Sequence, residues 1–150
     1  MPQDTSTNRT SEVIQSFTSV NRTLLTFTQQ NASSLGLTVP QMGILNTIYI
    51  GPSITLKAIT EKLALPKSTV SVNVDGLVNL GLVERAQSAE DRREIHVTVT
   101  AKGEEAAKAS IQNASSFRAM KIALQSLSEE EITTLLRLHS QLLSSLQTVK

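Results

Sequence analysis

The chain has 150 residues, 39% hydrophobic and 18% charged, the size of one compact domain or of a core domain with dimerisation arms rather than of a multidomain enzyme. Aromatic residues make up 3%, with 6 glycines, 4 prolines and no cysteine; this disfavours a sheet-rich sandwich or barrel and excludes disulfides, thiolate metal sites, a cysteine nucleophile and thiol redox sensing. Net charge is +1, far from the basic excess that by itself announces a nucleic-acid binder, although residues 54–103 carry seven basic and six acidic side chains between two charge-balanced flanks. No apolar run reaches the about 20 residues of a membrane span, and Met1 to Asn21 has polar residues where a signal peptide places its apolar core. A soluble cytoplasmic protein with no membrane partner is therefore expected.

After an unpatterned tail of eight residues, Val13, Phe17, Val20, Leu24 and Phe27 recur at alternating steps of four and three. That spacing predicts a helix from about Thr10 to Ser33 whose seam packs lengthwise on another helix. Thr38 followed by Gln41 forms a capping box, and Pro40 is tolerated in a first turn because its missing N–H has no intrahelical acceptor there. A second helix should run to about Tyr49. Gly51-Pro52 is a turn, and Thr55 caps a short helix with Leu56, Ile59 and Leu63 inward. Beyond Ala64-Leu65-Pro66 a fourth helix should span about Lys67 to Leu80, with Val70, Val74 and Leu77 on one face and Gly81 as its stop.

Leu82 to Arg85 and Ile95 to Val99 read as the strands of a hairpin, with Ala86 to Glu94 as a charged tip. Thr100 caps a long helix predicted to continue through Ala123. Ser128 and Glu131 make a second capping box, supported by a Leu127–Ile132 staple. The last helix sets Ile132, Leu135, Leu136, His139, Leu142, Leu143, Leu146 and Val149 on one stripe.

Three short helices followed by a hairpin is the order of a winged helix-turn-helix, so the expected fold is mainly α with a small β-hairpin wing. The long outer helices carry more apolar stripe than a monomer of this size needs, which points to a homodimer. Its candidate interface is Val13, Phe17, Val20 and Leu24 at one end of the chain and Leu135, His139, Leu142, Leu143 and Leu146 at the other. An enzyme is not expected: there is no Gly-rich phosphate loop and no nucleophile motif, and the acidic run Glu129–Glu131 is explained as a helix cap. His96 and His139, the two histidines, lie too far apart in sequence to propose a metal site.

Three segments then become recognisable: LTVPQMGIL (Leu37 to Leu45), LKAITEKLALPKSTVSVNVDGLVNLGLVER (Leu56 to Arg85) and EDRREIHVTVTAKG (Glu90 to Gly103). Together they resemble the MarR family, bacterial winged helix-turn-helix regulators named for multiple antibiotic resistance, over about Thr10 to Leu146. The most specific part is the wing signature, here Asp91, Arg93, Val99-Thr100 and Gly103.

The resemblance implies one domain over residues 1–150, with dimerisation helices at about 10–35 and 104–148 flanking a DNA-binding lobe at about 38–103. In it the first, fifth and sixth helices interlock two copies, the fourth helix enters the major groove of double-stranded DNA, and the wing tip reaches the minor groove. Lys67, Ser68 and Thr69 then meet phosphates at a helix N-terminus. Ser71, Val72 and Asn73 lie one turn further in, Asn73 facing adenine and Val72 a thymine methyl. Arg93 resembles the family's minor-groove arginine, with Asp91 orienting its guanidinium, and Arg92 and Arg85 serve as phosphate binders. The chain departs from the pattern in having no base around Val72, Gly76 or Val78 to Leu80, which shifts electrostatic work to the wing. No cofactor is expected, although the resemblance implies a small lipophilic or phenolic effector. The alternative is a winged-helix protein-interaction module without DNA binding, which the base-poor fourth helix favours.

Overall fold

The computed structural model describes residues 5–51 and 53–150, in two compact units, one ending at Ser115 and one comprising Ser116–Lys150. The element order is α1 (Thr5–Ser34), α2 (Val39–Ile50), β1 (Ile54–Thr55), α3 (Leu56–Leu63), α4 (Lys67–Asn79), β2 (Val83–Gln87), β3 (Ile95–Val99), α5 (Ala101–Gln112), α6 (Ser115–Ala123), a 3-10 turn (Leu124–Ser126) and α7 (Glu129–Gln147). Residues Thr5 to Asn8 of the expected tail are helical, and its first four residues lie outside the described residues, as does Pro52 of the Gly51-Pro52 turn.

Helix boundaries follow local chemistry. At the start of α2 the Gln41 N–H donates to Thr38 Oγ1 (3.3 Å) while the Thr38 N–H donates to Gln41 Oε1 (3.0 Å), and Ser128 and Glu131 repeat this reciprocal pair ahead of α7. Two helices end in left-handed glycines, Gly36 (φ +70°) and Gly81 (φ +74°). At each, the next N–H turns back onto the helix: Leu37 donates to the Ala32 carbonyl (2.9 Å) and Leu82 to the Leu77 carbonyl (3.0 Å).

The core of the first unit joins Ile44, Leu45 and Ile48 of α2, Ile59 of α3, Val70, Val74 and Leu77 of α4, Val83 and Val97 of the sheet, and Ala107 of α5. Each fully buried large aliphatic side chain contributes about 1.5–3 kcal/mol. A polar node ties α1, α2 and α5 at the edge of this core: Ser110 accepts from Asn31 Nδ2 at its carbonyl (3.1 Å) and from Asn46 Nδ2 at its hydroxyl (2.7 Å).

The sheet has three strands rather than the two of the expected hairpin, in the order β1-β3-β2, all antiparallel. With two residues, β1 is too short for alternation to reveal it; its pairing of Ile54 with Val97 and Thr55 with His96 comes from tertiary proximity. The long helix expected from Thr100 through Ala123 is two helices. Asn113 leaves helical geometry (φ −104°, ψ 26°), and the Ser115 hydroxyl donates to its carbonyl (3.4 Å). In the run Asn113-Ala114-Ser115-Ser116, three side chains compete with the helical hydrogen bonds, and the helix stops.

In the second unit α6 and α7 bury no residue, and Leu136, Leu143 and Leu146 stand 64%, 57% and 68% exposed. In the first unit α1 buries only Asn31 and Ala32, near its C-terminus, leaving Val13, Ile14, Phe17 and Val20 outward.

Candidate nucleic-acid interface

Helix α3 is capped by Thr55, whose hydroxyl accepts from the Ala58 N–H (3.0 Å). It ends at Ala64, held in the left-handed region (φ +51°), and the short turn through Pro66 delivers the chain into α4. Pro66 offers no side-chain cap. The first-turn N–H groups of Lys67, Ser68 and Thr69 therefore lack a capping partner, and Lys67 and Ser68 are exposed. Helix α4 lies close on α2: a Cβ on Gly76 would come within 2.8 Å of Gln41 Nε2.

Away from its buried residues Val70, Val74 and Leu77, α4 presents Val72, 68% exposed, with Asp75 one turn on. Asn73 is half-buried and one of its two amide N–H donors is bonded to the Thr69 carbonyl (2.8 Å) within its own helix. Ser71 is also half-buried, and its carbonyl accepts from Arg85 Nη2 (3.3 Å). Arg85 Nη1 lies 2.8 Å from Asp75 Oδ1. The guanidinium expected to bind phosphate thus braces β2 against α4. Sequence reasoning singled out Arg85 but missed Asp75, since nothing local marks it as the partner of a strand residue.

In the wing, β2 and β3 pair from Val83 with Val99 to Gln87 with Ile95. The tip is shaped by short-range bonds. Ser88 N–H donates to the Glu94 carbonyl (3.1 Å), Gln87 Nε2 to the Arg92 carbonyl (3.1 Å), and Asp91 Oδ1 accepts from the Arg93 backbone N–H (2.9 Å). Asp91 therefore orders the loop backbone beneath Arg93. Among the described residues no carboxylate pairs with the Arg93 guanidinium, in contrast to the expected orienting role of Asp91. Arg92 and Arg93 are both exposed at the tip.

Two residues, His96 and Thr100, hold the wing root. His96 Nδ1 donates to the Ser53 carbonyl (2.8 Å), where Ser53 itself has φ +56°. Thr100 fastens the other side: its N–H donates to the Leu82 carbonyl (3.0 Å), its hydroxyl donates to the Gly81 carbonyl (2.7 Å), and the same hydroxyl accepts from the Gly103 N–H (3.0 Å) as the cap of α5. Gly103 packs so closely that a Cβ there would overlap the Leu82 carbonyl oxygen. These contacts give a physical reason for the Thr100 and Gly103 positions of the wing signature.

A groove of about 430 Å³ opens beside this root, lined by Leu35, Leu37, Leu80, Leu82 and Ala106, with Lys102 and Glu105 as its charged side chains. It touches both glycine turns, at Gly36 and after α4. Among the described residues no three His, Asp or Glu side chains gather as a metal site, and no helix is long and apolar enough to cross a membrane.

A helix-turn-helix whose second helix is braced by a small antiparallel wing defines the winged helix-turn-helix class. Within it, the chain belongs to the MarR family of transcriptional regulators; the model of that family matches residues 35–94. It is 30% identical over 115 residues to the HTH-type transcriptional regulator MgrA of Staphylococcus aureus, covering 76% of this chain and 75% of MgrA. The multiple antibiotic-resistance repressor MarR of Listeria monocytogenes is 34% identical in structural superposition, with a TM-score of 0.64 over 97% of this chain and 100% of that one. A MarR mutant from E. coli, solved with operator DNA, shares the fold at 23% identity, with a TM-score of 0.77 over 91% of this chain and 96% of that one. These relatives are transcription regulators, not enzymes.

Proposed function

We propose that the chain is a cytoplasmic, homodimeric, ligand-responsive repressor of transcription that binds a pseudo-palindromic operator. Each subunit sets α4 in the major groove of one half-site and the wing tip in the neighbouring minor groove. The observation that carries this reading is the Arg85 brace, through which the exposed face of α4 and the wing project as one unit. Operator DNA bound to the E. coli relative and the repressor role of the Listeria relative support it.

Lys67, Ser68 and Thr69 meet phosphates with uncapped N–H groups, and Arg92 meets them at the wing. Ser71, Val72 and Asn73 sit at the base edges. Arg93, on a loop ordered by Asp91, enters the minor groove, where a narrow A/T-rich stretch focuses negative potential on it. With Arg85 spent on α4, its part is to position the helix.

The dimer forms through residues 10–35 and 104–148, around a DNA-binding lobe at 38–103, the whole chain acting as one functional domain. Large apolar side chains standing in water on α1 and α7 need cover, Val13, Phe17 and Val20 on one and Leu135, Leu142, Leu143 and Leu146 on the other. Leu24 and His139 continue these two stripes. A lipophilic or phenolic effector suits the groove beside Lys102, whose walls include the turn after α1 and the turn after α4. Such a ligand shifts DNA affinity only by binding the two lobe spacings unequally.

Footprinting on the DNA around the protein's own gene, with sedimentation of the free protein, tests the reading. Protection of a two-fold symmetric A/T-rich site by a dimer is the expected result. A dimer that protects no DNA leaves the protein-interaction module as the better reading.

A further inference from the structure

Helix α4 carries one base, Lys67 at its first position, and one acid, Asp75, already paired with Arg85. Around its central turn two polar groups are engaged within the protein. The Asn73 amide is bonded to the Thr69 carbonyl and the Ser71 carbonyl to Arg85. The apolar side chain presented to solvent there is Val72, 68% exposed and the most exposed large hydrophobic of the helix, ahead of Val78 at 37%. Val72 adds nothing to the core, and as a β-branched residue it is a poorer helix former than alanine. Neither packing nor helix stability accounts for it.

Resting on the DNA-binding reading above, we propose that α4 reads its half-site through apolar contact. Val72 packs on thymine 5-methyl groups in the major groove, and those methyls are a principal determinant of sequence specificity. The thymine methyl is the apolar feature of the major-groove edge of the base pairs. Val72 suits it because β-branching leaves one strongly preferred χ1 rotamer in a helix, so two methyl groups are offered with little rotamer entropy to lose. Asp75, three residues on and therefore on the neighbouring surface of α4, would repel phosphates if unpaired. The Arg85 brace neutralises it, and a helix short of bases can then approach the groove closely enough for van der Waals contact.

The experiment uses the full-length dimer and a duplex enriched by it from a randomised library. Thymidines of that duplex are replaced one at a time by deoxyuridine, which removes the methyl and keeps the pairing, and affinity is followed by fluorescence anisotropy at fixed salt. At one or two positions in each half-site the substitution should weaken wild-type binding about fourfold, the value of one buried methyl-sized group. Val72→Ala, at an exposed site where alanine favours the helix, should keep its thermal transition, bind the thymine duplex more weakly and respond to uracil at those positions by less than twofold. Wild-type indifference to uracil at every position, or a Val72→Ala variant that keeps the full uracil penalty, overturns the thymine assignment while leaving DNA binding intact. Enrichment of no duplex overturns the DNA-binding reading and the assignment with it.

Discussion

Arg85 of β2 holds Asp75 of α4 at 2.8 Å, and with its second nitrogen the Ser71 carbonyl at 3.3 Å, so one side chain ties the wing strand to helix α4 at two points. The pair is partly open to water, with side chains 31% and 58% exposed, and its value lies in geometry more than in stability.

For Arg85→Ala, the loss of folding stability should stay below about 1 kcal/mol in urea titration. Operator affinity should fall about tenfold, within the usual range for specific protein–DNA contacts. The slope of log affinity against log salt should not change. A lost phosphate contact would lower that slope by about one, so the slope separates a brace from a phosphate ligand.

Removing the wing arginine, Arg93→Ala, should weaken operator binding by roughly 1–3 kcal/mol in gel-shift titration. Asp91→Asn should bind nearly as wild type, because an asparagine oxygen can accept the Arg93 backbone N–H that Asp91 Oδ1 accepts at 2.9 Å. Asp91→Ala should lose affinity with the loop. Equal losses from both Asp91 variants would instead mean that the carboxylate charge itself is required.

Two glycine substitutions should act in opposite directions. At Gly103 a methyl meets the Leu82 carbonyl, a backbone atom pinned by the Thr100 N–H, so Gly103→Ala should cost several kcal/mol or prevent folding. At Gly43, inside α2, nothing lies within 4 Å of the added Cβ. Gly43→Ala should therefore gain about 1 kcal/mol of helix propensity and raise Tm by about 2–4 °C in calorimetry.

Val20→Asp and Leu143→Asp place a charge on the apolar faces of α1 and α7, at sites 56% and 57% exposed in the single chain. Each should yield a monomer by sedimentation and abolish high-affinity binding to a two-half-site duplex, because a charge buried unpaired at an interface costs several kcal/mol. A dimer that persists in both variants would place the interface elsewhere.

Much of the fold was legible in contiguous residues. Thr38 with Gln41, Thr55, Thr100, and Ser128 with Glu131 all cap the helices their spacing predicts, and Gly81 stops α4 as its lack of a Cβ allows. Strand β3 runs from Ile95 to Val99 as its alternation suggests. The contacts of the candidate site residues were less legible. Asp91 was readable as a partner of Arg93, yet the partner atom is a backbone N–H rather than the guanidinium, because an Asx side chain two residues away reaches the main chain most directly.

Caps, stops, apolar stripes and family resemblance are readable from contiguous residues, since they depend on interactions within about four residues or on recurring motifs. Tertiary structure alone decided that Arg85 serves α4, that β1 joins the sheet, and that Gly103 must lack a side chain. In each case the two groups are distant in the chain, and only the packing of α2, α4 and α5 around Ile44, Val74 and Val97 brings them within bonding or contact distance.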